Sequence, residues 1–249
     1  GLINLQDGTY DRVNKLLLDH QQEHGFTVQL PYKWSDAIRC SASPIVRWLW
    51  DSLDGKIDQV FFALCYLNAI VTRRSDIQVL LQIIGKAGAG KSTFTRLAEA
   101  LVGSSNVQSS QLQMLEEDKF ELSNLIGRPL VLINEIDTNY KGSGAILKGL
   151  TGGDRMVNRI KHKQSRGNSD FTYYGKIIIT ANEEFKPSRV FDDWDRRNRV
   201  LKFQKTVAKS QVRNLIENCE DGSIAGEFAP HLPAFLQLIL SIDDDLVKR

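Results

Sequence analysis

A glycine-rich segment carries the strongest chemical signal in this sequence. It fits the pattern G-x-x-x-x-G-K-[ST], in which backbone N–H groups surround phosphate oxygens and the following helix adds partial positive charge. Lys91 is expected to reach the β- and γ-phosphates of a nucleoside triphosphate, and the Ser92 hydroxyl to ligate Mg²⁺. The alternative, a chance glycine-rich turn, is disfavoured by the apolar run before the segment and the helical pattern after it. The predicted nucleotide-binding residues are Gly85, Lys86, Ala87, Gly88, Ala89, Gly90, Lys91, Ser92 and Thr93.

Acidic residues follow a second apolar run, at residues 129–133. A triphosphate site needs carboxylates at the end of a neighbouring strand, to hold Mg²⁺ and to polarise the attacking water. Glu135 is the first acid after the run, and we predict that it activates this water and shares in the outer shell of the metal. Asn134 stands where many such enzymes carry an acid, which leaves Asp137 as a second metal partner. For Asp137 alone, a solvated loop carboxylate or a helix N-cap is an equal alternative.

A third apolar run, at residues 176–180, leads to Asn182. An Asn at the end of a strand often simply begins a turn. In a chain that also has a phosphate loop and Glu135, we favour the interpretation that the Asn182 amide orients the lytic water.

Hydrophobic patterning places these residues in an α/β core. The three apolar runs have the length and residue content of buried parallel strands. The segments between them have apolar residues at helical spacing. We therefore predict a P-loop ATPase core with a parallel sheet, preceded by a small helical domain and followed by C-terminal helices. The predicted helices lie at 11–24, 44–53, 58–72, from 91, from 207 and at 232–242, and the predicted domains at 1–76, 77–206 and 207–249.

The three motifs, in this order, resemble those of the superfamily 3 helicases, a branch of the AAA+ ATPases. Residues 147–154, which read LKGLTGGD, resemble the K-x-L-T-G-G-D signature of phage and plasmid primase–helicase proteins related to the poxvirus primase–helicase. Residues 194–203 resemble the W-x-R-R segment of that family, which ends in an aromatic residue. The segment 30–32 and the helices before the phosphate loop resemble its helical domain, so that the resemblance covers most of the chain.

This resemblance implies a ring, usually a hexamer, that binds ATP at subunit boundaries. An arginine from one subunit completes the site of its neighbour, where a cation stabilises charge that develops on the γ-phosphate. Arg197 matches the family position best and Arg196 comes second; surface ion pairs with neighbouring aspartates are the alternative. The expected catalytic residues are Lys91, Glu135, Asn182, Arg197 and Arg196, and the expected Mg²⁺ partners are Ser92, Glu135 and Asp137.

A basic stripe lies between residues 155 and 166 of this nearly neutral protein. Alternating apolar and polar residues from 156, a turn-like stretch at 164–169 and a return at 170–174 predict a β-hairpin. In ring helicases of the resembled superfamily, such a hairpin projects into the channel and grips the backbone of single-stranded nucleic acid. A solvated hairpin face is the alternative. The expected DNA-binding residues are Lys148, Arg159, Lys161, His162, Lys163 and Arg166.

Composition is that of a globular protein, with 42% hydrophobic and 25% charged residues and a net charge of +2. Three scattered cysteines have no zinc-binding or disulfide spacing, which favours a reducing, cytoplasmic setting. No apolar run is long enough to cross a membrane. We expect the sequence to be a piece of a longer polypeptide, with primase–polymerase chemistry upstream.

The sequence thus predicts an ATP- and Mg²⁺-dependent replicative DNA helicase of a phage, plasmid or satellite element, which assembles as a homo-oligomer on single-stranded or forked DNA. The resemblance implies translocation from 3′ to 5′. Two alternatives are an ATP-dependent loader or switch that binds DNA without unwinding it, and an RNA-directed superfamily 3 ATPase of a virus.

Overall fold

The structure is a computed structural model that describes residues 1–118, 120–136, 142–156, 170–188 and 193–248. These residues form two compact units. The first comprises residues 1–72, 88–106 and 203–249, and the second comprises residues 73–87 and 107–202. The three domain limits given above stay a prediction.

The helices and strands follow one another along the chain as β1 (Leu2–Leu5), β2 (Gly8–Asp11), β3 (Leu16–Leu18), α1 (Ser43–Ser52), α2 (Ile57–Val71), β4 (Leu80–Ile84), α3 (Lys91–Val102), β5 (Val107–Ser110), α4 (Leu112–Glu117), β6 (Leu130–Ile133), α5 (Ala145–Gly152), β7 (Arg155–Met156), β8 (Phe171–Thr172), β9 (Lys176–Ala181), α6 (Trp194–Arg197), β10 (Asn198–Lys202), β11 (Glu217–Asn218), β12 (Ile224–Ala225), α7 (Leu232–Leu240) and α8 (Asp244–Lys248).

The first unit begins with a three-stranded antiparallel sheet in the order β1-β2-β3. The helix predicted at 11–24 is therefore wrong. The Asp11 carboxylate accepts the Val13 N–H at 2.9 Å and the Asn14 side-chain amide at 2.7 Å, and Lys15 adopts a φ of 55°. This side-chain turn offers the backbone an alternative to a helix, and it reverses the chain into β3.

Helices α1 and α2 begin and end close to the predicted limits, and α3 begins at the predicted residue, Lys91. The α2 helix is buried along most of its length. It carries one fully buried polar side chain, Asn68, whose amide donates to the Ile239 carbonyl of α7 at 2.8 Å. Tyr32 donates in the same way to the Ala100 carbonyl of α3 at 2.8 Å. These hydrogen bonds satisfy polar groups inside the helical part of the first unit.

The helix predicted from residue 207 is also wrong. That stretch contains a 3₁₀ turn at Lys209–Gln211 and the short hairpin of β11 and β12. The carbonyls of Asn214 and Leu215 accept the N–H groups of Glu227 and Phe228 at 3.0 and 2.8 Å. This pairing requires Gly226, because a Cβ there would lie 2.8 Å from the Leu215 backbone. Long-range pairing thus replaces the i to i−4 bonds of a helix.

The second unit is built on a five-stranded parallel sheet in the order β10-β4-β9-β6-β5. All three apolar runs predicted as buried parallel strands are strands of this sheet, and their residues are almost entirely buried. The side chains of β6 and β9 share a core with residues of α4 and α5, and Phe185 and Trp194 complete it. Within the described residues, no helix is both long and apolar enough to cross a bilayer.

Candidate functional site

The phosphate loop joins the end of β4 to the start of α3. Gly88 and Gly90 have φ values of 77° and 100°, which residues with a side chain rarely adopt. Gly90 caps α3, and its carbonyl accepts the Phe94 N–H at 3.1 Å. Lys91 is half-buried and Ser92 is exposed. The strand, turn and helix that the motif requires are present in the expected order.

An aromatic cluster in the first unit supports the conformation of Gly90. A Cβ at this position would lie 3.4 Å from Trp48 and 3.5 Å from Phe203. The Phe203 ring is 6.1 Å from Trp48 and 5.9 Å from Phe94, and Trp48 also contacts Phe228 edge-on at 5.7 Å. Sequence reasoning missed this cluster, because its members are far apart along the chain and no local spacing connects them.

The second unit gathers three predicted site segments at one edge of its sheet. Strand β9 pairs with β4 on one side and with β6 on the other, all parallel, so their carboxyl ends are adjacent. The segments that follow these ends begin at Gly85, Asn182 and Asn134, and the Gly85 N–H donates to the Ala181 carbonyl at 3.3 Å. The connection that follows β4 leads to β5 at one edge of the sheet. The connection that follows β9 leads to β10 at the other edge. Ligands of open α/β sheets bind where the connections diverge in this way.

Glu135 lies beside this divergence in a left-handed backbone conformation, with a φ of 52°. Two hydrogen bonds fix it: the Glu135 N–H donates to the Thr180 hydroxyl at 3.0 Å, and the Ile136 N–H donates to the Thr180 carbonyl at 3.0 Å. Thr180 itself is buried on β9. A non-glycine residue in this region is strained, and such strain concentrates at functional sites. Sequence analysis identified Thr180 only as part of a strand and missed its hydrogen bonds to the backbone at Glu135.

Asn182 follows β9 directly and is exposed. The loop after it is tied to β4 by Gln82, which is fully buried. The Gln82 amide donates to the Phe185 carbonyl and accepts the Phe185 N–H, both at 2.9 Å. A polar side chain on a central strand thus holds the chain three residues beyond Asn182.

The two predicted boundary arginines lie on α6 in different environments. Arg196 is exposed and forms an ion pair with Asp193 at 3.1 Å. Arg197 is only 7% exposed, lies 3.4 Å from the same carboxylate, and donates to the Thr151 hydroxyl at 3.4 Å. Gly152 leaves room for its guanidinium, because a Cβ there would lie 2.9 Å from Nη1. Hydrogen bonds from Arg196, and then from Arg197, hold the pKa of Asp193 below its usual range.

The predicted hairpin is confirmed at its base. Strands β7 and β8 pair antiparallel, with Arg155 opposite Thr172 and Met156 opposite Phe171. Arg155 forms an ion pair with Asp170 at 2.8 Å, a partner that sequence analysis missed. Lys148 is exposed on α5. One expected metal partner, Asp137, lies outside the described residues. So do the remaining expected DNA-binding residues: Arg159, Lys161, His162, Lys163 and Arg166.

The oxygen donors of the predicted metal site suit Mg²⁺. Ser92 supplies an exposed hydroxyl and Glu135 an exposed carboxylate. Across the described ranges, no three or more His, Cys, Asp or Glu side chains form a group that could hold a metal ion. Mg²⁺ is commonly held by one or two protein oxygens together with substrate phosphates.

Comparison with solved structures yields a clear fold match. An apo structure of the C-terminal region of NrS-1 superposes with a TM-score of 0.63 at 18% identity, over 82% of this chain and 47% of that one. The fold is shared. A further apo structure of the same region gives a TM-score of 0.62, also at 18% identity, over 83% and 48% of the two chains. The chain therefore spans about half the length of the NrS-1 chains that it matches.

Sequence comparison yields two further matches, each over less than half of the chain. Residues 83–197 match a family described as a family of unknown function, DUF5906. A 115-residue stretch, 46% of the chain, is 30% identical to an uncharacterized mitochondrial protein, ymf20, from Marchantia polymorpha, and covers 65% of it. The family match begins in β4 and ends at Arg197, so it contains the phosphate loop, Glu135, Asn182 and both arginines.

Proposed function

We propose that this chain is the ATPase part of a ring-forming DNA helicase of superfamily 3, from the replication protein of a phage, plasmid or satellite element. One observation carries the proposal: the parallel pairing of β9 with β4 and β6 gathers the start of the phosphate loop, Asn182 and Glu135 at one sheet edge. A phosphate loop, an acid and a strand-end amide at a chain divergence are the parts that triphosphate hydrolysis needs.

Each residue has a distinct chemical role in this proposal. The backbone N–H groups of the phosphate loop bind the phosphates, Lys91 neutralises the γ-phosphate, and the Ser92 hydroxyl ligates Mg²⁺. Glu135 accepts a proton from the attacking water, and the Asn182 amide orients that water. Mg²⁺, when bound with ATP, draws charge from the phosphate oxygens. Fixing Glu135 through Thr180 lowers the entropic cost of placing the base.

Arg196 and Arg197 have different roles at the subunit boundary in this proposal. A side chain that completes the site of a neighbouring subunit must be accessible, and Arg196 is exposed whereas Arg197 is buried against α5. We therefore propose that Arg196 reaches the γ-phosphate of the neighbouring subunit. Arg197, which the sequence resemblance ranked first, instead positions α6 through Asp193 and Thr151.

DNA binding is proposed for the segment that connects β7 to β8 along the chain. Lys161, His162 and Lys163 lie between these strands along the chain, and lysine contacts to phosphates give sequence-independent, salt-sensitive binding. Six copies in a ring would need only a few contacts each. In the Lys161→Ala protein, affinity for single-stranded DNA should fall and the salt slope should decrease by about one. An unchanged slope would exclude this assignment.

ATP hydrolysis stimulated by single-stranded DNA tests the proposal. The parent should hydrolyse ATP, Lys91→Ala should lose nucleotide binding, and Glu135→Gln should bind ATP with a turnover at least about a hundredfold lower. Mixing Glu135→Gln with Arg196→Ala subunits should restore partial activity, because each supplies what a neighbour lacks. Hydrolysis without unwinding would favour the loader alternative, and stimulation by RNA alone would favour the viral alternative.

A further inference from the structure

Strand β3 forms an open edge of the N-terminal sheet. In the three-stranded order β1-β2-β3, β3 pairs only with β2, through Thr9 opposite Leu18 and Asp11 opposite Leu16. The other outer strand, β1, is covered: the Leu30 N–H donates to the Asn4 carbonyl and the Gln6 N–H donates to the Tyr32 carbonyl, both at 2.9 Å. Only the β3 edge thus offers backbone groups for further pairing among the described residues of this sheet.

The side chains of this edge are apolar and exposed. Leu16, Leu17 and Leu18 are 56%, 39% and 38% exposed, and Val13 in the preceding turn is 75% exposed. Natural sheets usually protect an open edge with charges, prolines or bulges inside the edge strand. Three consecutive leucines do the opposite, and such an exposed apolar edge is typical of a surface that pairs with another strand.

The charges that flank β3 indicate which strand fits. Lys15 precedes the three leucines and Asp19 follows them, and both side chains are exposed. Within the part of the chain that the structure describes, neither forms an ion pair. In antiparallel pairing of two copies about a two-fold axis through Leu17, Lys15 of one copy lies opposite Asp19 of the other. The same register places Leu16 opposite Leu18, so every position meets a compatible partner.

We propose that β3 is a self-pairing interface, through which two copies of this chain join their N-terminal sheets edge to edge in the Leu17-centred antiparallel register. The contact is isologous, so it closes after two copies and does not extend into fibres. Three residue pairs bury little area, which places the contact among weak and transient interfaces. It uses none of the nucleotide-site residues, so it does not depend on the proposed function.

A charge-reversal series tests both the interface and its register. Sedimentation velocity without nucleotide or DNA, at concentrations into the high micromolar range, should show a concentration-dependent doubling of mass for the parent. Each single reversal, Lys15→Glu or Asp19→Lys, places two charges of the same sign opposite each other at both symmetry-related contacts. Either change should weaken self-association about tenfold. The double variant Lys15→Glu/Asp19→Lys restores both attractions and should associate like the parent.

Further variants separate this interface from other contacts. Leu17→Lys places two ammonium groups on the axis and should abolish the doubling, whereas Lys56→Glu, a charge reversal outside this sheet, should leave it unchanged. Circular dichroism establishes that each variant is folded. Failure of the parent to double its mass, or doubling that persists in Leu17→Lys and in both single reversals, would overturn the proposal.

Discussion

The Gln82 side-chain amide donates to the Asn198 side-chain oxygen at 2.9 Å, and both side chains are buried. Gln82 lies on β4, two residues before the strand ends, and Asn198 is the first residue of β10, directly after Arg196 and Arg197. Since Gln82 also holds Phe185, one side chain ties the loop after Asn182 to the end of α6. The proposed water-orienting and boundary residues therefore have a common anchor on the strand that leads into the phosphate loop.

Replacing Gln82 with Met keeps the volume but removes all three hydrogen bonds. Buried groups of Phe185 and Asn198 then lose a partner, so the free energy of unfolding should fall by about 2–4 kcal/mol. At temperatures well below the transition, ATP turnover should also fall while ATP binding is retained, because the two tied segments lose their common anchor. Gln108→Met on β5 is the matched control, since among the described residues that side chain donates to its neighbour's carbonyl, that of Ser109, alone. Equal losses in the two variants would refute the anchoring role.

Thr180→Val tests the support of Glu135. Valine has nearly the same shape but cannot accept the Glu135 N–H, so this N–H loses its partner and the base loses its fixed position. Turnover should fall about tenfold with unchanged ATP affinity, and the free energy of unfolding should fall by about 1 kcal/mol. Thr180→Ser retains the hydroxyl and should recover most of the turnover. If valine and serine behave alike in single-turnover hydrolysis, the hydroxyl has no positioning role.

Glu135→Gly separates backbone strain from chemistry. The left-handed conformation costs a non-glycine residue about 1–2 kcal/mol, so glycine should raise the free energy of unfolding by about 1 kcal/mol while removing the base. Glu135→Gln should show no such gain, although both variants should lose turnover. Urea unfolding of the two proteins at the same pH measures the difference. A glycine variant less stable than the glutamine variant would show that the observed φ is not a source of strain.

Lys176 should make stability depend on alkaline pH. Its ammonium group is buried at the start of β9 and donates to the Arg74 carbonyl. Burial lowers the pKa of Lys176 to about 8, although the nearby negative charge of Asp76 acts to raise it. Between pH 8 and the usual lysine pKa near 10.5, the unfolded chain binds the proton that the folded chain has released. Stability should therefore rise with pH across this window, by on the order of 3 kcal/mol at its upper end.

Urea unfolding from pH 7 to 10 checks this slope. Lys176→Met should flatten the rise, and the exposed Lys148→Met should leave it as in the parent. If the free energy of unfolding has the same pH dependence from pH 8 to 10 in the parent and in Lys176→Met, with no rise in the parent, the assignment is contradicted.

The sequence was most informative where local pattern and tertiary environment agree. Continuous apolar runs identify β4, β6 and β9, because a parallel strand buried on both faces needs no alternation. The glycine-rich loop is recognisable because its signature residues lie within eight consecutive positions. The wrong helices at 11–24 and from 207 have a different cause: the Asp11 turn and the bonds from residues 227–228 to 214–215 pair groups that helical periodicity does not reveal.

The parts of the candidate site that sequence analysis missed are the supports of its functional residues. Thr180 accepts a hydrogen bond from Glu135, which lies 45 positions earlier in the chain. Gln82 bonds to Phe185, 103 positions later, and the Trp48 ring contacts that of Phe203, 155 positions later. Their residue types are ordinary for a strand or a helix, so nothing in the local sequence distinguishes them. The different exposure of Arg196 and Arg197 likewise depends on Thr151 and Gly152, which pack from another helix.

Strand displacement on a forked DNA duplex tests the central claim most directly. In the presence of ATP and Mg²⁺, the parent protein should release the labelled strand, and Glu135→Gln should bind the fork and ATP but release nothing. Arg196→Ala should also release nothing, while Arg199→Ala, a change to a nearby exposed arginine, should retain most of the activity. A parent protein that hydrolyses ATP on the same fork and displaces no strand would contradict the helicase account.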